Sequence, residues 1–213
     1  MESPISIVVL ISGSGSNLQA IIDEIEAGNV NAKIAAVICN KVNAYGIERA
    51  KQHGIATEII DHTAFETRQA FEAVLSKTID SYKPSLLVLA GFMRILDKDF
   101  VQHYLGRMIN IHPSLLPAYK GINTHKRVLQ DSVKKHGASV HFVTPELDGG
   151  PIIIQASVTV KDDDTAETLA TRVLSQEHII YPMVIDWFAH KRLILKDGRV
   201  YFDGVQLNQP ITN

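Results

Sequence analysis

A single cysteine, Cys39, stands in 213 residues, so no disulfide framework can form within the chain. It lies in the apolar run IAAVIC, where a buried structural thiol is the simplest reading. One thiol fits a reducing, cytoplasmic setting. No apolar run approaches the roughly 18 residues that a membrane span needs. The first residues, MESPISIVVLISGSG, carry no basic region and turn glycine-rich too early for a signal peptide. Basic charge is not in excess either. With 21 Lys and Arg against 23 Asp and Glu, the net charge is −2, which leaves no electrostatic footprint for nucleic acid. The nine histidines contain no HExxH, and one cysteine argues against a thiolate zinc site, so no metal is expected. There is no repeat, low-complexity segment or obvious linker. A chain of this length with 46% apolar residues suits one domain over 1–213, with halves at about 1–100 and 101–213.

What is present is an alternation. The apolar runs ISIVVLI (5–11), IAAVIC (34–39), IATEII (55–60) and SLLVLAG (85–91) read as strands buried on both faces, as in a parallel sheet. Helical patterns fall between them. Leu18, Ile21, Ile22 and Ile25 form one stripe, and Phe65, Phe71, Val74, Leu75 and Ile79 form another. RMINI (107–111) makes a fifth strand. The expected fold is α/β: an open, doubly wound, mostly parallel sheet. A short helix is expected at about 125–134. ASVHFV and PIIIQASVTV then read as antiparallel edge strands, followed by a long C-terminal helix over about 165–190. Asp164 and Glu167 resemble that helix's capping box, and Pro182 should kink it. LILKDGRVYF reads as a hairpin turning at Asp197-Gly198.

The first strand runs into SGSGSN (12–17), and a helix begins at Asn17. Free N–H groups and a helix dipole make such a turn an anion site, suited to phosphate. The dinucleotide fingerprint fails, because Leu18 stands where a third glycine belongs and Asn40 where an acid belongs. A triphosphate loop fails for want of GxxxxGK[ST]. A small phosphate monoester remains, with Ser16 and Asn17 adding side-chain donors; a plain strand-to-helix turn is the alternative.

NIHPSLLPAYKG (110–121) puts an amide and an imidazole at i and i+2, hence on one face of a strand end. Pro113 biases His112 to an extended backbone. Two donors aimed at one spot can stabilise an oxyanion. The alternative is a turn cap at Asn110 and a satisfied core histidine. In ELDGGP (146–151), Asp148 precedes two glycines. It is a turn residue or, beside the imidazole, the group that orients it and keeps it charged. Glu177 falls on the apolar stripe Leu169, Val173, Ile180, Val184, Trp187, where a carboxylate needs a partner. A sugar hydroxyl, a substrate amine, an internal cation or a curved helix would each explain it.

Taken together, ISGSGSNLQAII, AGFMRIL, NIHPSLLPAYKG, HGASVHFV, ELDGGPIIIQA and QEHIIYP resemble the phosphoribosylglycinamide formyltransferases, folate-dependent enzymes of purine synthesis. The likeness spans nearly the whole chain. It implies that the substrate phosphate sits on Gly15, Ser16 and Asn17 and that Glu177 contacts the ribose. It implies that 10-formyltetrahydrofolate lies across Met93, Arg94, Ile95, Leu96 and Asn110, with the 144–148 loop opposite and Arg68 at the folate tail. Asn110, His112 and Asp148 match the catalytic trio. The glycinamide amine would attack the formyl carbon directly, one oxyanion donor being worth roughly 3–4 kcal/mol in comparable sites. His112 or an ordered water would protonate the departing folate nitrogen. Pro145 and Lys120 depart mildly from the family pattern.

The implied partners are small molecules, with no nucleic acid or membrane, in a monomer or homodimer. Three rivals are weighed against this. A methionyl-tRNA formyltransferase needs an RNA-binding extension, and only about two dozen residues follow the last helix. A 10-formyltetrahydrofolate hydrolase usually carries an extra N-terminal domain. A non-catalytic phosphosugar-binding module has no need of Asn110, His112 and Asp148 converging.

Overall fold

Residues 3–213 are described by a computed structural model. In chain order they form β1 (Ile5–Ile11), α1 (Ser16–Glu26), β2 (Ala32–Cys39), α2 (Tyr45–Gln52), β3 (Thr57–Ile59), a 3₁₀ turn (His62–Ala64), α3 (Arg68–Ser81), β4 (Leu86–Leu89), α4 (Lys98–His103) and β5 (Met108–His112). Then follow α5 (Thr124–Gln130), β6 (Lys135–Phe142), β7 (Ile152–Thr159), α6 (Ala166–Ala189), β8 (Leu193–Lys196), β9 (Arg199–Phe202), β10 (Val205–Gln206) and β11 (Ile211–Thr212).

One eight-stranded sheet runs in the order β11-β7-β6-β5-β4-β1-β2-β3. From β3 to β5 every pairing is parallel, whereas β6 pairs antiparallel with both β5 and β7. Ile7 to Ile11 and Leu86 to Val88 are fully buried, which is why those runs show no polar alternation. α1 and α6 pack together, and α6 also lies on β6 and β7. Phe71, Leu75 and Ile79 of α3 join Phe100, Val101 and Tyr104 in a second core cluster with the opposite face of β1 and β4. Each such buried aliphatic or aromatic side chain contributes about 1.5–3 kcal/mol. Tyr181 of α6 is fully buried, and its hydroxyl reaches the carbonyls of Leu89 (2.9 Å) and Ile109 (3.2 Å), tying the long helix to the ends of β4 and β5.

The strand order reverses direction between β1 and β4. In open α/β sheets ligands bind at the carboxyl ends of the strands flanking such a point. SGSGSN follows β1, AGFMRIL follows β4, and Asn110 and His112 close β5, so all three share that edge.

Several local expectations are corrected. The 55–60 run shrinks to a three-residue edge strand, with Ile59 44% exposed. Val74 points outward, and Glu72 takes a buried place on α3 instead. α5 stops at Gln130. The capping box of α6 is formed by Thr165 and Thr168, not by Asp164 and Glu167. Asp164 instead accepts two hydrogen bonds from Arg172, both 2.8 Å, which hold its carboxyl well below the usual range. Pro182 stands within α6, whose bounds lie close to the expected 165–190. The 193–202 hairpin forms as expected, with Asp197 (φ 50°) and Gly198 (φ 70°) both left-handed at its turn.

Candidate active site

The glycine turn comes first. Gly15 has φ 71° and caps α1, and a Cβ there would sit 2.7 Å from Gly46 Cα. Only glycine meets both conditions. No side chain caps the start of α1 and no acid stands in its first turn, so that end is free to face an anion. Asn17, however, is not free in its side chain. Its Nδ2 donates to Glu177 Oε2 at 2.7 Å, in a buried contact across 160 residues of sequence. The buried carboxylate on the α6 stripe thus has its partner. Burial pushes the Glu177 carboxyl up, and the Asn17 amide opposes that. Asn17 Oδ1 is buried without a hydrogen-bond partner.

The loop after β4 is tied back to the turn. Ser12 Oγ accepts from the Met93 N–H at 2.7 Å and donates to Asn40 Oδ1 at 2.5 Å. Asn40, standing where a dinucleotide site keeps an acid, is therefore an internal strut. Arg94, Ile95 and Leu96 border a cleft of about 100 Å³ whose other wall is Thr144 to Asp148, with Asn110 and His141 between them. Met93 (68% exposed) and Ile95 (57%) leave large apolar surfaces to solvent on this loop, as a ligand-binding rim does. Arg68 does not border the cleft; it lies exposed at the start of α3.

Beneath that loop sits Glu72, 4% exposed, with Oε1 accepting from the Asp97 N–H at 3.0 Å and Oε2 unpartnered. Burial, then the Asp97 side chain, pushes its carboxyl up to about 7. An unfolded glutamate titrates near ~4.3. Between these values the folded chain holds a proton that the unfolded chain has lost, so stability falls as pH rises through the window. Glu72→Gln is expected to abolish that fall. Urea unfolding at about pH 5 and about pH 8 measures it, with a difference of about 1–2 kcal/mol once partial hydration is allowed for. Equal slopes in both proteins would refute the assignment.

The trio converges. His112 Nδ1 lies 3.5 Å from Asp148 Oδ2, and its Nε2 donates to the Tyr119 carbonyl at 3.0 Å. Both neighbours are acceptors: Nε2 faces the carbonyl and Nδ1 faces the carboxylate. Asp148 reaches the site on the β6–β7 loop in a left-handed conformation (φ 46°), and its Oδ2 also accepts from the Gly121 N–H at 2.8 Å. Gly150 packs against the Phe142 carbonyl so closely that a Cβ would lie 1.8 Å from that oxygen. Gly150 therefore lets the loop come down onto the sheet end.

The PSLLP segment is held by Ser139, whose Oγ donates to the Ser114 carbonyl (2.6 Å) and accepts from the Leu116 N–H (3.0 Å). Lys120 pairs with Glu146 at 2.7 Å and links this loop to the Asp148 loop.

One site residue escaped sequence reasoning. His141 faces Asn110 directly across the β5–β6 pairing, and Asn110 Nδ2 lies 3.2 Å from its Nε2. The available signal was a histidine in the alternating ASVHFV, on the same strand face as Ser139; only the antiparallel register reveals what it meets. Among the described residues, no group of three or more His, Cys, Asp or Glu could hold a metal ion, and no helix is long and apolar enough to cross a membrane.

A family model for formyl transferases matches residues 5–185, and the chain belongs to that family. Within it, the chain is similar to the phosphoribosylglycinamide formyltransferase of Escherichia coli (strain K12), with 52% identity over 202 residues covering 95% of each chain. The Haemophilus influenzae protein of that name is 45% identical over 201 residues, covering 94% of this chain and 95% of its own. The solved structure of phosphoribosylglycinamide formyltransferase from Coxiella burnetii is 55% identical, with a TM-score of 0.95 over 98% of this chain and 99% of that one.

Proposed function

We propose that this chain transfers the formyl group of 10-formyltetrahydrofolate to the amine of 5-phosphoribosylglycinamide, a step of purine synthesis. The observation that carries this is the 3.5 Å contact of His112 with Asp148, beside a cleft that Asn110 and Asp148 both line and on the same sheet edge as the phosphate-type turn. The phosphate sits on the α1 start, at Gly15, Ser16 and the backbone of Asn17. Glu177, held by the Asn17 amide, meets the ribose. The pterin lies between the 93–96 backbone and the 144–148 loop.

The amine lone pair attacks the formyl carbon, and the carbonyl π pair moves onto oxygen. Asn110 Nδ2–H and His112 Nε2–H stabilise that oxyanion, the latter exchanging its bond to Tyr119 for one to the intermediate. Collapse restores the carbonyl and breaks the bond to the folate nitrogen, which takes a proton as the attacking nitrogen loses one. Nδ1 of His112 faces the Asp148 carboxylate, which orients the ring while Nε2 donates.

The test is purified protein with 10-formyltetrahydrofolate, with and without 5-phosphoribosylglycinamide. Folate product should form only when the acceptor is present; equal rates would make the chain a hydrolase. Arg68, exposed and near the cleft loop, would meet the carboxylates of the folate tail. Arg68→Ala is expected to raise the folate KM about five-fold with kcat unchanged, the effect of one exposed ion pair of about 1 kcal/mol. An unchanged KM would remove Arg68 from the folate site.

A further inference from the structure

We propose that His141 is a positioning residue, whose Nε2 accepts from the Asn110 amide and thereby fixes which end of that amide faces the reacting oxygen. This rests on the proposed role of Asn110 as an oxyanion donor.

The tautomer follows from the ring's other contact. His141 Nδ1 lies 2.9 Å from the carbonyl of Phe142, which can only accept, so Nδ1 carries the proton. His141 is 2% exposed, and burial pushes its titration down, against the Phe142 carbonyl and the Asp148 charge, while His112 and Lys120 lower it further. The neutral ring then has a lone pair on Nε2, and that lone pair points at Asn110 Nδ2, 3.2 Å away.

An asparagine amide has two ends of nearly equal shape and opposite polarity. With Nδ2 toward His141, one N–H is used there and the second is available to an oxyanion. If the amide were reversed, Oδ1 would meet the Nε2 lone pair, setting two acceptors against each other, and a carbonyl would take the place of a donor at the site. The cross-strand register, which puts Asn110 directly opposite His141, makes this lock a property of the sheet. Asp148 Oδ1 lies 3.9 Å from Nε2, beyond hydrogen-bond reach, so it does not compete for that atom in the neutral ring.

The experiment is steady-state kinetics on Asn110→Ala, His141→Phe, His141→Gln and the double variant Asn110→Ala/His141→Phe. Asn110→Ala should lower kcat about 100-fold. His141→Phe, which keeps a ring but removes the acceptor, should lower kcat about 10-fold while both KM values stay within about two-fold. In the Asn110→Ala background it should have no further effect. Glutamine offers an acceptor oxygen and should recover most of the loss.

Full kcat in His141→Phe beside a crippled Asn110→Ala would overturn this inference alone, as would multiplicative losses in the double variant. A nearly unaffected Asn110→Ala would bring down the oxyanion assignment and this inference with it. Nitrogen NMR of the unmutated protein gives an independent answer that needs no variant to fold. Nδ1 should resonate as the protonated nitrogen of His141 and Nε2 as the unprotonated one, and the opposite tautomer would refute the lock.

Discussion

Replacing His112 by alanine is expected to lower kcat about 10³-fold while leaving both KM values within about three-fold. The ring is buried, and its Nε2 is one of two donors available to the developing oxyanion; loss of one such donor typically removes 10²–10³ in rate. Alanine also leaves the Asp148 carboxylate buried with the Gly121 N–H but without its ring partner. Asp148→Asn should lower kcat about 10²-fold, since the shape is kept while the charge opposite the ring is lost. The fold should survive both changes, because Ser139 and Gln155 anchor the PSLLP segment independently of the ring. Steady-state and single-turnover rates, with circular dichroism as a check on folding, decide the matter. A loss carried by KM at constant kcat would make the trio a binding site and refute the proposed chemistry.

Gly150→Ala is expected to be nearly as damaging, although Gly150 touches no substrate. The added Cβ would lie 1.8 Å from the Phe142 oxygen and 2.9 Å from its carbonyl carbon. These are backbone atoms, so no rotamer change relieves the clash. The loop must lift, breaking the hydrogen bond from Phe142 N–H to the Pro151 carbonyl (3.0 Å) and carrying Asp148 away from His112. A displacement of about 1 Å at a catalytic group can lower the rate about 100-fold. Gly149→Ala is the comparison: the nearest atoms to its Cβ belong to the Glu146 side chain, which can rotate away at the cost of its pair with Lys120, so kcat should fall by less than about five-fold. The ratio of the two kcat values is the measurement. Equal effects would mean that loop height does not set the Asp148 position.

How far the molecule was legible in the sequence depended on how local each signal was. Ile7 to Ile11 of β1 and all of β4 are sealed on both faces, so IVVLI and LLVL carry no polar interruption and identify themselves. α2 and α4 are eight and six residues long, too short for a 3.6-residue pattern to stand out, and neither was expected. β10 and β11 have two residues each. Asn110 and His112 were legible because their i, i+2 spacing is itself a geometric statement. His141 was not, since its partner lies on another strand whose register only the fold determines. The Asn17–Glu177 bond spans 160 residues and illustrates the same limit: the sequence showed a carboxylate on a core stripe without naming what neutralises its burial.

The three ligand-facing segments leave neighbouring strands, in the order β1, β4, β5. Adjacent strands lie about 4.8 Å apart, so the glycine turn after β1 and the Asn110–His112 end of β5 are separated by roughly 10 Å across the sheet. That separation is written into backbone hydrogen bonding, which side-chain substitution scarcely alters. On the proposed assignment the sheet would work as a ruler: an acceptor would be judged by the distance from its anionic terminus to its nucleophile, and one bond too few or too many would leave the amine short of the formyl carbon or past it.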